Sequence, residues 1–478
     1  MNTIAVKCRH NDIEIKVLEK ITPTPRDRER LELVARKAIT LIKEFTRSRE
    51  LDALVTIEGS YAKDTWLRDD VDLDLFILLP KDECIDVIEG GLIDKLTEWL
   101  LERGYIVQHR YAQHPYLRVL LDNTWIEVVP GCNVSDPSKP ITPVDRTPFH
   151  RQYVVTHTTV EQRNEIRLLK SFLKGVGVYG AEIAVQGFSG YLAELLIIKY
   201  KCFRNLLREA SERWRPRMLI TLEKTSEENL SRLKKLYQDR PLIVVDPVDP
   251  GRNVAAALSY KSFATFIAAA RLYLRSPSLT FFHVYSRVDK PLSPGSIPAT
   301  AGGRIENVIT IVLASKEPES PDNFWGVAQR LARLLEKMLV NNDFRVLDRS
   351  VYVNENGTRA IIALELESRK IPTYKLHYGP PAWSRENAEK FLEKHLASES
   401  IGPWVDESGR LVVIKRRSYT DALDAVKSLA PRWVPKSAKK YEIRVTTLID
   451  IIDKLSREEL AWLRRFIVKR PTWMNTYR

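Results

Sequence analysis

The sequence predicts an α+β multidomain protein: a mixed-sheet first domain, a helical middle and a further α+β part towards the C-terminus. Three observations carry that expectation. The chain has 478 residues, too many for one hydrophobic core and close to the span of three ordinary domains. Short strand-like runs crowd its first part, interleaved with helical periodicity. A proline-containing stretch then hands over to helices, and a new β-α-β-β order begins near Asn307.

Taken in order, Arg28 to Arg49 reads as a helix, because Leu31, Val34, Ala38, Ile42 and Phe45 recur at spacings of three and four. The runs LDALVTI, VDLDLFILL, YIVQHRYA, YLRVLL and TWIEVV follow as strands, interrupted by one helix pattern from Ile85 to Arg103. SDPSKPITPVDRTPFH marks a boundary near residue 150. Beyond it, Thr158 and Glu161 form a capping-box pair for a helix whose apolar stripe is Ile166, Leu169, Phe172, Leu173 and Val176, stopped by Gly175 and Gly177. A second helix starts near Ser189 and runs through SGYLAELLIIKYKCFRNLL. From Asn307 come a strand (VITIVLAS), a helix (Phe324 to Leu339) and two strands (FRVLDRSVYV, RAIIALELE), an order suited to a ferredoxin-like sheet. The segment from Asp421 to Arg478 reads as helical, with a basic, aromatic-rich end that reads first as an amphipathic helix and only second as an RNA grip.

Composition narrows the function classes. Hydrophobic residues are 44% and charged residues 29%, a globular balance that excludes a disordered chain. A formal net charge of +13 favours a polyanionic partner, since cations that neutralise phosphates release counterions. Cys8, Cys84, Cys132 and Cys202 show no C-x-x-C spacing and read as unpaired thiols of a reducing compartment. No leader-like or membrane-spanning apolar run is evident, so the expected location is cytoplasmic, with no membrane partner. Abundant Glu, Lys and Arg beside only 4 Met lean towards a thermophile.

The chemistry-bearing segment is GSYAKDTWLRDDVDLDLFILLP, Gly59 to Pro80. Alternation along a strand puts Asp72 and Asp74 on one face, with Val71, Leu73 and Leu75 on the other. Two carboxylates side by side repel unless a cation sits between them, which suits Mg²⁺, and a pair of such ions can serve one phosphoryl transfer. Glu127, the one acid in the apolar strand TWIEVVP, is the candidate third ligand. Gly59-Ser60 opens a short helical turn where backbone amides favour phosphate. Asp70 continues the alternation, so a solvated acidic edge is the bland alternative.

Together these pieces resemble the DNA polymerase β-like nucleotidyltransferase superfamily. The resemblance narrows to class I, archaeal-type CCA-adding enzymes (tRNA nucleotidyltransferases) through VDRTPFHRQY, NEIRLLKSFLKGVGVYGAE, GFSGYLAELLI and VVDPVDPGRNVAAALS, is close to about residue 283 and fades beyond. It implies a nucleotidyltransferase head over 1–150, a helical nucleotide- and RNA-contacting neck over 151–283, and a ferredoxin-like body with a mostly helical tail, tRNA-binding, over 284–478. It implies addition of C, C and A to the tRNA 3′ end from CTP and ATP with two Mg²⁺ ions. Asp72 and Asp74 match the first two metal ligands, and Glu127 stands where the family usually has Asp. Ser60, Lys63, Lys170 and Tyr179 match triphosphate contacts; Thr147 and His150 match residues near the sugar and phosphates; Arg252, helped by Asn253, matches the arginine facing the incoming base.

Read from the residues alone, Arg163, Arg167, Lys170 and Lys174 share a narrow arc of their helix, a basic stripe that an RNA backbone would fit and that an ordinary solvated face would also explain. The rival readings are a poly(A) polymerase or oligoadenylate synthetase, which share the metal signature, and a catalytically dead RNA-binding scaffold. The oligomeric state stays open, a homodimer included.

Overall fold

A computed structural model describes residues 8–68, 70–111, 115–285 and 293–476. The chain divides into two compact units, Met1–Asp289 with Arg470–Arg478, and Lys290–Lys469.

The first unit is built on a five-stranded sheet, β1 (Leu54–Glu58), β2 (Leu73–Pro80), β3 (Ile106–Tyr111), β4 (Pro115–Leu121) and β5 (Thr124–Asn133), in the order β1-β2-β5-β4-β3. Only β2 and β5 run parallel, so the sheet is mixed. The helix Pro25–Ser48 starts where Thr24 and Asp27 form a reciprocal cap with proline at the first position. Its Leu31, Val34, Ala38, Ile42 and Phe45 pack with Leu73, Leu75, Ile77 and Leu79, the odd-numbered face of β2. That burial fixes the register, and a one-residue slip would drive Asp72 and Asp74 into the core.

Two local expectations change here. The single helix read over Ile85 to Arg103 is two, Cys84–Glu89 and Leu92–Leu101, split at Gly90-Gly91 with Gly91 at φ +83°. The cysteines are not free thiols: Cys84 pairs with Cys132 and Cys8 with Cys202, with Cα–Cα distances of 5.4 and 5.7 Å. Partners 48 and 194 residues apart leave no short-range spacing to read.

The same unit contains a second, helical core. Helix Val160–Gly175 is capped by Thr159 with Gln162, not by Thr158 with Glu161; the Thr158 hydroxyl instead donates to the Val154 carbonyl of the preceding helix. Ile166, Leu169, Phe172 and Leu173 are fully buried. The long helix read from Ser189 breaks at Lys201, φ +71°, into Gly190–Tyr200 and Phe203–Glu212. Phe172 lies at the centre of an aromatic cluster with Phe203, Phe266, Tyr273, Phe281 and Phe282. Trp473 packs on Phe281 with 1% exposure, so this part of the C-terminal aromatic end is core. A two-stranded parallel pair, β6 (Met218–Ile220) and β7 (Leu242–Val244), completes the unit.

The second unit holds a four-stranded antiparallel sheet of β8 (Val308–Ala314), β9 (Val346–Val353), β10 (Arg359–Leu366) and a late strand Glu442–Thr447. The late strand lies at the edge beside β8, giving the spatial order late strand, β8, β10, β9. It falls inside the stretch read as helical, because it gains its ladder only by pairing with β8 across more than a hundred residues. Helix Pro321–Asn341 covers one face through Phe324, Ala328, Leu331, Leu335 and Leu339. Helix Arg457–Val468 covers the other through Trp462, Leu463, Phe466 and Ile467. A smaller sheet of β11 (Tyr374–Pro381), β12 (Ile401–Val405) and β13 (Arg410–Arg416), with helix Arg385–Leu396 against it, was not legible in the sequence.

Candidate active site

The parallel pairing of β2 with β5 sets Asp74 opposite Glu127, and the neighbouring pairings set Glu58 opposite Asp74 and Arg118 opposite Glu127. Residues in register share a face of the sheet, so one row reads Glu58, Asp74, Glu127, Arg118: three acids and a cation. Asp72 stands two residues before Asp74 on that face, its side chain half exposed. Arg118 joins the ends of the group, donating from Nη2 to Asp72 Oδ1 at 2.6 Å while its Nε lies 3.3 Å from Glu127 Oε1.

Gly59 makes room for Asp74. Its φ is +67°, and a Cβ there would land on Asp74 Oδ2. Burial pushes the Asp74 carboxyl up to about 6; Lys63 opposes that rise and Asp72 and Glu58 add to it. An enclosed carboxylate short of positive partners is what a hard cation relieves, and the donors here are all oxygens. Among the described residues no three His, Cys, Asp or Glu side chains already converge as a closed metal set. The row nevertheless fits a divalent cation by donor type, by register and by the unrelieved charge on Asp74.

Beside the carboxylates lies a buried cluster of opposite sign. Glu194 accepts from Lys63 Nζ at 2.6 Å, from Lys170 Nζ at 2.9 Å and from the Thr65 hydroxyl at 2.6 Å. Burial alone would raise the Glu194 carboxyl, but the two lysines hold it near 2. Two ammonium groups on one carboxylate leave a surplus positive charge, and both lysines act on Asp74. Tyr179 belongs to the same neighbourhood: a Cβ on Gly190 would stand 3.0 Å from its hydroxyl, and Lys174 lies 4.9 Å over its ring. Burial, then nearby Glu194, Asp70, Glu182 and Asp74, raise the Tyr179 phenol, which therefore stays a donor.

Helix Thr147–His157 brings a third group. Thr147 opens it, Arg151 reaches Glu58 Oε2 at 3.0 Å, and His150 meets Asp246 Oδ2 at 3.1 Å. Asp246 is fully buried and also accepts from Arg252 at 2.8 Å and from the Tyr191 hydroxyl at 3.1 Å, with the His150 and Tyr191 rings stacked at 3.9 Å. Burial lowers His150 despite Asp246, leaving a neutral imidazole at neutral pH. Ser60 sits half-buried on the turn Gly59–Ala62, next to the glycine that Asp74 approaches.

Two residues read as contacts are buried. Asn253 is 1% exposed, with Oδ1 accepting from the Val244 and Ala255 amides and Nδ2 donating to the Leu242 carbonyl. Its amide is buried and holds the loop that presents Arg252. Arg167 is also 1% exposed and donates to the Trp66 carbonyl and to Asp64, so it is a buried latch rather than part of a basic surface. The other members of that arc face acids too: Arg163 meets Asp64 at 3.6 Å, Lys170 meets Glu194, and Lys174 pairs with Asp70. The narrow arc was real, but its cations oppose Asp64, Asp70 and Glu194.

Arg118, Glu58, Asp246, Glu194, Asp64, Arg151 and Tyr191 were not singled out from sequence. For Arg118 a signal existed, a lone cation in the apolar run YLRVLL, but its partners depend on strand register.

Comparison with known proteins gives the same direction along the chain. The family model "Nucleotidyltransferase domain" matches residues 39–150, "tRNA nucleotidyltransferase, second domain" matches 164–283, and "CCA-adding enzyme, C-terminal domain" matches 306–437. The last extends the likeness past residue 283, where the motifs fade. The CCA-adding enzyme of Saccharolobus islandicus (strain M.14.25 / Kamchatka #1) is 37% identical over 463 residues, 97% of this chain and 100% of that protein. That of Saccharolobus solfataricus is also 37% identical over 97% of this chain and 100% of that protein. That of Pyrobaculum islandicum is 39% identical over 85% of this chain and 90% of that protein. Nucleotidyltransferases of this kind use metal ions with nucleoside triphosphates, and no described helix is long and apolar enough to cross a membrane. With the carboxylate row, the neck motifs and full-length relatives in agreement, the chain belongs to the archaeal-type CCA-adding enzyme family.

Proposed function

We propose that this protein adds C, C and A, without a nucleic-acid template, to the 3′ end of tRNA from CTP and ATP, releasing pyrophosphate at each step. The observation that carries the reading is the register of Asp74 against Glu127 with Asp72 on the same face, beside a surplus of positive charge from Lys63 and Lys170. In this reading Asp72, Asp74 and Glu127 hold two Mg²⁺ ions, which when bound supply Lewis-acid activation of the tRNA 3′ hydroxyl and neutralise charge on the triphosphate.

The chain's own residues divide the remaining work. Ser60, Lys63, Lys170 and the protonated Tyr179 bind the triphosphate as donors, with Thr147 and neutral His150 towards the sugar and phosphates. Asp246 orients His150, Arg252 and Tyr191 together, so the arginine that faces the base is aimed from a buried carboxylate. The hydroxyl oxygen gives up its proton to solvent and bonds to the α-phosphorus as the bond to pyrophosphate breaks, and no covalent enzyme intermediate is needed. Residues 1–150 act as head and 151–283 as neck, where partly exposed Arg163 and Lys174 would leave Asp64 and Asp70 to meet RNA phosphates. Residues 284–478, body and tail, hold the acceptor end by shape and backbone.

The direct test incubates the protein with Mg²⁺ and tRNA lacking its CCA end, giving CTP and ATP singly and together and resolving products to one nucleotide. Two C residues from CTP, a single A once ATP joins, and nothing from Asp72→Ala, Asp74→Ala are expected. Long A tails would replace the reading with a poly(A) polymerase, and no incorporation would leave an RNA-binding scaffold.

A further inference from the structure

Arg118 occupies an unusual place among the carboxylates. It projects from β4 onto the acid face of the sheet, opposite Glu127, and its guanidinium reaches over to Asp72. It therefore touches two of the three acids read as metal ligands, while Lys63 and Lys170 act on the third. Its fit is incomplete: Nε is buried without a hydrogen-bond partner, close to Glu127 Oε1 but not aligned with it. The same guanidinium also lies over an aromatic ring, its carbon 5.4 Å from the Trp125 ring centre, on the strand that carries Glu127.

A guanidinium and a divalent cation want the same oxygens. Arg118 is well bonded to Asp72, poorly bonded to Glu127, and rests against an aromatic face that does not depend on Asp72. We propose that Arg118 is a positioning residue that serves as the resident counter-charge of the carboxylate row, and that it must release Asp72 before that carboxylate ligates a metal ion. It keeps Asp72 and Glu127 from repelling each other when no metal is bound, and it sets a threshold on metal loading that the free carboxylates would not have. The inference rests on the reading of Asp72, Asp74 and Glu127 as the metal site.

Mn²⁺ alone, without nucleotide or tRNA, is the probe, with free ion counted by electron paramagnetic resonance against full-length protein. Arg118→Gln is expected to bind Mn²⁺ at least about tenfold more tightly than the wild type, because a full charge leaves the ligand shell. Arg118→Lys, which keeps the charge but cannot span both acids, falls between them. The gain disappears when Asp72→Asn is added, which a diffuse field effect would not do. Melting curves on each variant confirm folding, and Arg118→Lys retains the test if the glutamine variant fails to fold. Equal or weaker Mn²⁺ binding by folded Arg118→Gln, or by Arg118→Lys where only that variant folds, overturns the inference while the metal site stands. Mn²⁺ binding that survives Asp74→Asn unchanged, or that no variant shows, overturns the metal site and the inference with it.

Discussion

The carboxylate row and the Lys63–Lys170–Glu194 cluster are neighbours of opposite design. In the cluster every charge has a partner at hydrogen-bond distance and Glu194 has no exposed surface, so burial is answered from within the chain. In the row, Asp74 is enclosed with Asp72 and Glu58 for company, and its proton is held to about 6 because the surroundings do not supply enough positive charge. One region satisfies its hydrogen bonds from within the chain and keeps one surplus positive charge; the other is left with surplus negative charge. A polypeptide holds such a deficit only where rigid elements impose it, here β2 and β5 locked by the core beneath them.

That contrast breaks most sharply at Asp74. Asp74→Asn should lower kcat/KM for nucleotide addition by about a thousandfold or more, the factor that several kcal/mol of lost metal-centred stabilisation implies. The metal-free protein should melt no lower than the wild type, since a repelling charge has gone; a drop in melting temperature would place Asp74 with the structural acids instead.

Glu194→Gln should behave the opposite way, costing about 3 kcal/mol or more of folding stability in denaturant titration because two buried lysines lose their counter-ion. The pH dependence follows with a definite sign. The folded Glu194 carboxyl is held near 2 against an ordinary 4.5, so its stabilisation is full above about 4.5 and lost as pH falls towards 2. Stability of the glutamine variant should lack that component of the acid loss, and identical acid profiles would contradict the paired cluster.

Gly59→Ala tests the border between the two designs. A Cβ would displace the Asp74 carboxylate from its seat, and a shift near 1 Å at a reacting site is worth about a hundredfold in rate. The fall should appear in kcat, read in single-turnover nucleotide addition, more than in KM for nucleotide.

Much of this was legible residue by residue. Alternation in VDLDLFILL put Asp72 and Asp74 on one face and the odd residues in the core, because strand geometry leaves no other choice once one face must be buried. The helix under the sheet and the apolar stripe from Ile166 to Leu173 were legible for the same reason, periodicity. What misled was local chemistry with near-equal options: Thr158 and Thr159 are both cap residues followed three positions later by a Glu or Gln. The basic arc on Val160–Gly175 was placed correctly but read as a stripe for an RNA backbone or as a solvated face, since periodicity gives the side of a helix and not what faces it.

Residue order alone shows which residues can share a face and that two acids crowd one strand; both follow from backbone periods of 2 and 3.6 residues. Their partners come from the assembled fold. Glu127 became the neighbour of Asp74 through a parallel pairing across about fifty residues, and Arg118 became the counter-charge of both Asp72 and Glu127 through an antiparallel one. Asp246 gathered His150, Tyr191 and Arg252, and the four cysteines found each other, in the same way. Non-local pairing is chosen by the burial of whole faces, a property of the assembled core that no short stretch of chain contains.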